Sequence, residues 1–161
     1  MDRRVLKNDD ALAEYLKSIS SELLKIAYSY IQDDATVDDV ISETIYRVYK
    51  YRKKVRKPEY LKTWIIRILI NECKTELMKH KPVYELEEDR IAVSEPEDFT
   101  FVYEYINQLK SPQREIVTLK TLNDYTFAMI ARVLGLKENT VKTDYYRALD
   151  ILRKEMHDLY E

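Results

Sequence analysis

Residues 125–149, YTFAMIARVLGLKENTVKTDYYRAL, decide how the rest of the chain is read. Thr126 suits an N-cap, because its hydroxyl can accept from a free amide in the first helical turn. Phe127, Ile130, Ala131, Val133 and Leu134 then supply an apolar stripe with helical spacing. Gly135, the only glycine in 161 residues, falls where the first helix must end. A positive φ costs glycine nothing, so the position reads as a tight turn. Beyond it Leu136 anchors a second segment, in which Val141, Tyr145, Leu149 and Leu152 recur at steps of four, four and three. One side of that helix is therefore buried.

Its other side carries Asn139, Thr140, Lys142, Thr143, Tyr146 and Arg147. These donors, cations and one aromatic are the residue types that bind phosphate oxygens and base edges. Small Ala131, four residues before the glycine, sits where two helices have to approach closely. The unit reads as a helix-turn-helix with its recognition helix second. An ordinary helical hairpin with a solvated polar face has the same pattern, and this stretch alone leaves both open.

Charge patterning outside that unit separates them further. The formal net charge is only −2, with 35% charged and 45% hydrophobic residues, enough apolar content for a buried core. The average conceals segregation. Residues 47–57 hold seven basic side chains and no acidic one, whereas residues 85–98 hold seven acidic ones against Arg90 alone. Two surfaces with different partners are implied. The most apolar run, Trp64 to Ile70, is interrupted by Arg67 and is too short to span a bilayer. The opening MDRRVLKNDD has no apolar stretch of the signal-peptide kind, and the cytoplasm is the expected location. One cysteine, Cys73, excludes an internal disulfide and a cysteine-based zinc site.

Taken in order, Leu12, Leu16, Ile19, Leu23, Ile26, Ala27 and Tyr30 predict an amphipathic helix over residues 11–31. Asp33-Asp34 stops it and caps a second helix from about Thr36 to Tyr51, with Val37, Val40, Ile41, Ile45 and Val48 inward. That helix begins acidic and ends basic, as its dipole favours, yet the basic run continues well past its end. Pro58 holds Lys57 out of the helical region. A third helix spans about Glu59 to His80, with Trp64 in the core and Arg67, Asn71 and Lys74 on a polar edge. Nearly twenty residues with two prolines and the acidic run then read as a linker. Helical spacing resumes at Phe99, and Ser111-Pro112 suits the start of a helix running to about Leu122. The expected fold is all-α: residues 1–81 and 99–161 as two small helical domains, joined by an acidic linker over 82–98.

No catalytic constellation, phosphate loop, cofactor motif or metal cluster is visible. His80 and His157 stand alone near helix ends, and Asp38-Asp39 lies on an exposed helical face, a poor setting for a desolvated acid–base pair. The chain reads as a binding protein rather than an enzyme.

Three stretches resemble one family. DDATVDDVISETIYRVYKY (33–51) is similar to the polymerase-binding segment of bacterial sigma-70 factors, and LKTWIIRILINECKTELMKH (61–80) to their promoter-melting and −10-reading helix. YTFAMIARVLGLKENTVKTDYYRALDILRK (125–154) is similar to their −35-reading helix-turn-helix. The small size and single short linker resemble the extracytoplasmic-function (ECF) subgroup. The resemblance implies a transcription initiation factor that binds core RNA polymerase and directs it to promoters. It places Asp38, Asp39, Ile41, Glu43 and Thr44 against the clamp helices of the large polymerase subunit. Arg52, Lys53, Lys54, Val55, Arg56, Asn71 and Lys74 would meet the −10 element, and Thr140, Lys142, Thr143, Tyr146 and Arg147 the −35 element. The acidic linker would follow the RNA-exit path, and a cognate anti-sigma protein is an implied partner.

Two positions depart from the family's pattern. Asp144 stands where arginine is common, which should lower non-specific DNA affinity. Val55 stands in the −10 loop where an aromatic would stack better. The alternative is a stand-alone helix-turn-helix regulator in which residues 11–80 serve as a dimerisation or effector domain. It has no use for the basic loop or for the Trp64/Asn71 helix.

Overall fold

A computed structural model describes residues 2–79 and 100–160, with side chains given outside residues 100, 101, 159 and 160. Among the described residues the regular structure is entirely helical. The first domain holds α1 (Arg4–Lys7), α2 (Asp9–Ser18), α3 (Ser20–Tyr28), α4 (Asp34–Tyr51) and α5 (Leu61–Lys79). The second holds α6 (Thr100–Gln108), α7 (Gln113–Val117), α8 (Phe127–Leu134) and α9 (Glu138–Tyr160). The acidic run and the linker of 82–98 lie outside the described residues.

The single helix expected over 11–31 is two. Ile19 stays buried, so the apolar period runs on unbroken while the backbone does not. Ser18 and Ser20 donate their hydroxyls to the carbonyls of Tyr15 and Lys17, a competition with the helical ladder that serine favours at a break. The next helix begins as the sequence suggests, with the Asp33 carboxylate accepting from the Thr36 amide at 2.8 Å.

The segment after Pro112 also departs from expectation. α7 is one short turn and passes into a π-turn over Thr118–Leu122. Ser111 does not cap α7; its hydroxyl donates to Glu115 instead, at 2.7 Å. The π-turn ends where the Tyr125 amide reaches back to the Leu119 carbonyl, at 3.0 Å. This geometry turns Asn123 and Tyr125 toward the first domain.

The two domains share one continuous core. Leu12, Ile65 and Leu69 of the first lie in the same cluster as Ile116, Leu119 and Ile130 of the second. α5 packs on both α4 and α8. Burial of aliphatic side chains at roughly 1.5–3 kcal/mol each is the main favourable term holding these helices together. A smaller cluster, Ile106, Leu109, Val117 and Ala148, joins α6 and α7 to α9.

Candidate nucleic-acid interface

The helix-turn-helix forms as its local chemistry dictates. The Thr126 hydroxyl accepts from the Met129 amide at 3.2 Å and starts α8. Gly135 ends it at φ +67°, with its own amide and that of Leu136 returned to the Ala131 carbonyl. Ile130, Ala131 and Val133 on α8 are buried, as are Val141 and Ala148 on α9. Phe127 meets Tyr145 edge-on at 5.4 Å.

Burying that face turns the other outward. Thr140, Lys142, Thr143, Tyr146 and Arg147 are all exposed. Asn139, Thr140, Thr143, Asp144 and Arg147 line one concavity of about 310 Å³. Arg147 is mostly solvent-facing, and its guanidinium lies 3.9 Å from Asp144. Lys142 reaches Glu138 at 3.4 Å, an exposed pair of small energetic weight. Thr143 donates back to the Asn139 carbonyl. The arrangement offers donors and one flexible guanidinium on an exposed helix, the form that enters a major groove.

The basic loop is more divided than its sequence suggests. Lys53, Lys54 and Arg56 are exposed, Asn71 is exposed on α5, and Val55 packs half-buried on the core. Arg52 turns inward instead. It pairs with Asp9 on α2 and stacks over the Tyr49 ring at 5.4 Å. Lys74 is held 3.2 Å from the buried Glu115 carboxylate. Arg52 and Lys74 are thus committed to contacts within the chain.

Sequence reasoning passed over the tyrosines around this loop. Lys50 lies between Tyr46 and Tyr51, at 5.6 and 5.3 Å from their ring centres, and Lys54 sits 4.7 Å from Tyr51. Tyr46 is largely exposed. Tyr46 and Lys50 stand four residues apart on α4, and Lys54 follows four further on in the turn after it, so one ring and two cations share this surface. Such a face suits a strand whose bases stack and whose phosphates need cations. Next to it Val55, Arg56, Tyr60, Thr63, Trp64, Arg67 and Arg132 enclose a cleft of about 380 Å³. It contains three guanidinium groups, two larger aromatics and no carboxylate.

Of the expected polymerase-facing residues, Asp38, Asp39 and Glu43 are exposed along α4 and Ile41 is half-buried. Glu43 accepts from Arg47 at 2.9 Å, and Arg47 also reaches Glu72 at 2.8 Å. Thr44 does not belong on that face. It is fully buried, and its hydroxyl donates to the Val40 carbonyl at 2.8 Å. The helical period places Thr44 with Val37, Val40 and Val48, so its role is in packing.

Burial shifts several titrations here. The Cys73 thiol is pushed up to about 12 by burial and then by Glu72, so it stays protonated and unreactive. Among the described residues no group of three or more His, Cys, Asp or Glu could hold a metal ion. No helix among them is long and apolar enough to cross a membrane.

Fold and surface together define a two-domain helical protein that exposes the polar face of α9 and, on its first domain, a basic, aromatic loop. Comparison with known proteins names the family. The Sigma-70 region 2 description matches residues 16–83, and the Sigma-70, region 4 description matches residues 102–152. The chain is 28% identical over 140 residues to RNA polymerase sigma factor SigV of Bacillus subtilis (strain 168), covering 84% of each chain. It is 26% identical over 179 residues to the ECF RNA polymerase sigma factor SigW of the same organism, covering 98% of this chain and 95% of that one. Among solved structures, CnrH in complex with the cytosolic domain of CnrY superposes with a TM-score of 0.75 at 17% identity, covering 96% of this chain and 94% of that one. The sigma factor RpoE of Bartonella quintana, in complex with the anti-sigma factor NepR, gives 0.71 at 19% identity, covering 91% and 96%. The chain belongs to the sigma-70 family of RNA polymerase sigma factors, in its ECF subgroup.

Proposed function

We propose that α9 reads the −35 element and the basic loop with α5 reads and helps to melt the −10 element, while the acidic face of α4 docks on core RNA polymerase. The observation that carries this is the simultaneous exposure of Thr140, Lys142, Thr143, Tyr146 and Arg147 on one face of α9. That face supports major-groove reading by helix insertion. The chain acts by binding rather than by chemistry, and its place of action is the cytoplasm, with the polymerase.

At the −10 end, Lys53, Lys54 and Arg56 would hold the displaced strand by its phosphates. Tyr46, Tyr51 and Trp64 supply rings near them, and a base leaving the stack needs both. Asn71 offers an amide whose donor and acceptor can read a base edge. Asp38, Asp39 and Glu43 suit a basic partner surface on the clamp helices, where charge complementarity sets encounter rate and orientation. Both solved structures named above hold a second protein, the cytosolic domain of CnrY in one and the anti-sigma factor NepR in the other. By that likeness we assign this chain an anti-sigma partner of its own.

The test is an Arg147→Ala variant assayed on promoter duplexes that vary one −35 base at a time. A base contact predicts a loss of roughly 1–3 kcal/mol together with relaxed preference at one position. A uniform loss across sequences reassigns Arg147 to phosphate, and no loss removes it from the interface.

A further inference from the structure

The cleft beside the basic loop carries one sign of charge. Arg56 lines it from the loop, Arg67 from α5 and Arg132 from α8, and no carboxylate is among its walls. Three like charges around one concavity repel each other, the more so beside apolar surface such as Val55. The groups that hold them in place are neutral. Arg67 donates Nε to the Val133 carbonyl at 2.8 Å and a terminal nitrogen to the Arg132 carbonyl. Both are last-turn carbonyls of α8, which have no partner further along the helix. Arg132 lies over the Tyr60 ring at 5.3 Å, and Lys57 approaches the same ring at 5.9 Å. A carbonyl or a ring orients a cation without cancelling its charge, so the cleft keeps its positive potential.

Aromatic surface faces the same space. Trp64, the chain's single tryptophan, is half-buried, and it lines the cleft together with Tyr60. The Tyr60 ring is taken up by Arg132 and Lys57, which leaves Trp64 as the stacking surface. The volume of about 380 Å³ lies in the range of small-ligand sites. Guanidinium groups pair with phosphate oxygens through two parallel hydrogen bonds. A heterocyclic base stacks on an indole whatever its identity. A simple anion would leave the indole unused, and an apolar molecule would leave three cations without a partner. A ligand with several phosphate charges and one flat base uses all of these walls.

We propose that this cleft binds a free nucleoside polyphosphate, its base against Trp64 and its phosphates between Arg56, Arg67 and Arg132. Promoter single strand carries the same chemistry, and the −10 reading given above assigns it Arg56 and Trp64. A bound nucleotide therefore excludes the strand, a consequence that rests on that reading. Arg132 distinguishes the two ligands. It stands on α8, outside both sets of promoter-contacting residues, and is exposed.

The test uses the full chain with Trp64 as reporter, excited where tyrosine does not absorb. ATP and GTP should each quench the tryptophan saturably. Inorganic pyrophosphate should displace them with about tenfold weaker affinity, because it lacks the stacked base. Arg132→Ala should weaken both nucleotides by about tenfold, the change expected from one lost charge-assisted contact, and Arg132→Lys should recover part of it. Binding of a single-stranded DNA oligonucleotide should be unchanged in Arg132→Ala, and circular dichroism should match wild type. In the wild type each nucleotide should compete with the oligonucleotide.

Absence of saturable quenching, or nucleotide affinity unaltered in Arg132→Ala, would overturn the site. Pyrophosphate binding as tightly as ATP and GTP would overturn the nucleotide as its ligand. Equal losses of nucleotide and oligonucleotide in Arg132→Ala would give the cleft to the strand and overturn the proposal as well. Nucleotide binding that depends on Arg132 but does not displace the oligonucleotide would uphold the site and remove Arg56 and Trp64 from the −10 surface instead.

Discussion

The Glu115 carboxylate, on α7, is buried and sits 3.2 Å from the Lys74 ammonium on α5, in the other domain. Burial pushes that carboxyl up. The neighbouring hydroxyls of Tyr30 and Ser111, its own backbone amide and Lys74 outweigh burial and hold it below the ordinary glutamate range. Neither the Tyr30 hydroxyl nor Oε2 of Glu115 completes a bond of ordinary geometry, so proximity rather than a full network favours the charged form. Arg114 lies over the Tyr30 ring at 5.3 Å and adds positive potential to the same pocket.

A lowered folded-state value has a definite sign for stability. The contribution of Glu115 is present above the ordinary value of 4.5 and is lost as the pH falls through the lower folded value. Glu115→Gln should destabilise the chain by about 1–3 kcal/mol at pH 7, the cost of weakening a buried, charge-assisted contact. Urea titrations at pH 7 and below pH 4 check this, and the difference between variant and wild type should shrink at the lower pH.

Gly135→Ala isolates backbone strain from packing. An added Cβ at Gly135 meets nothing within 4 Å, while φ is +67°. The left-handed conformation alone should cost about 1–2 kcal/mol. Thermal unfolding should show that loss. DNA affinity measured well below the transition should stay near wild type, because the turn geometry survives.

Asp144→Asn tests the departure in the recognition helix. Asp144 lies 3.9 Å from the Arg147 guanidinium and would face phosphates of like charge. Removing its charge should raise affinity for all duplexes and steepen the dependence of log K on log salt by about one counterion. Fluorescence anisotropy at several salt concentrations measures both, and a change confined to one sequence would point to base reading instead.

The α4 surface separates an exposed carboxylate from a buried hydroxyl. Asp39→Lys should weaken core polymerase binding by about tenfold or more, since it sets like charge against a basic partner. Thr44→Val should leave that affinity within about twofold, because Thr44 faces the core and bonds only to the Val40 carbonyl. Equilibrium binding to purified core distinguishes the two.

What was legible in the sequence is what depends on neighbours within one turn. Thr126 as a cap, Gly135 at positive φ and the outward face of α9 are all fixed by residues three to five positions away. The break at Ile19 was hidden because two serines interrupt the backbone while the apolar period continues. Arg52 reads as a free cation until Asp9, 43 positions earlier, takes it. Thr44 shows the limit of reading polarity as exposure: a threonine inside a helix can return its hydroxyl to the carbonyl four residues back. The contacts of Arg67 with Val133 and of Lys74 with Glu115 join residues far apart in sequence, and no local pattern encodes them.

The most direct test of the central claim is co-elution with core RNA polymerase followed by run-off transcription from a promoter pool. The chain should elute with core, and transcripts should start from a restricted set of promoters sharing −35 and −10 elements. A chain that elutes alone, or a complex that yields no sequence-selective transcript, would contradict it.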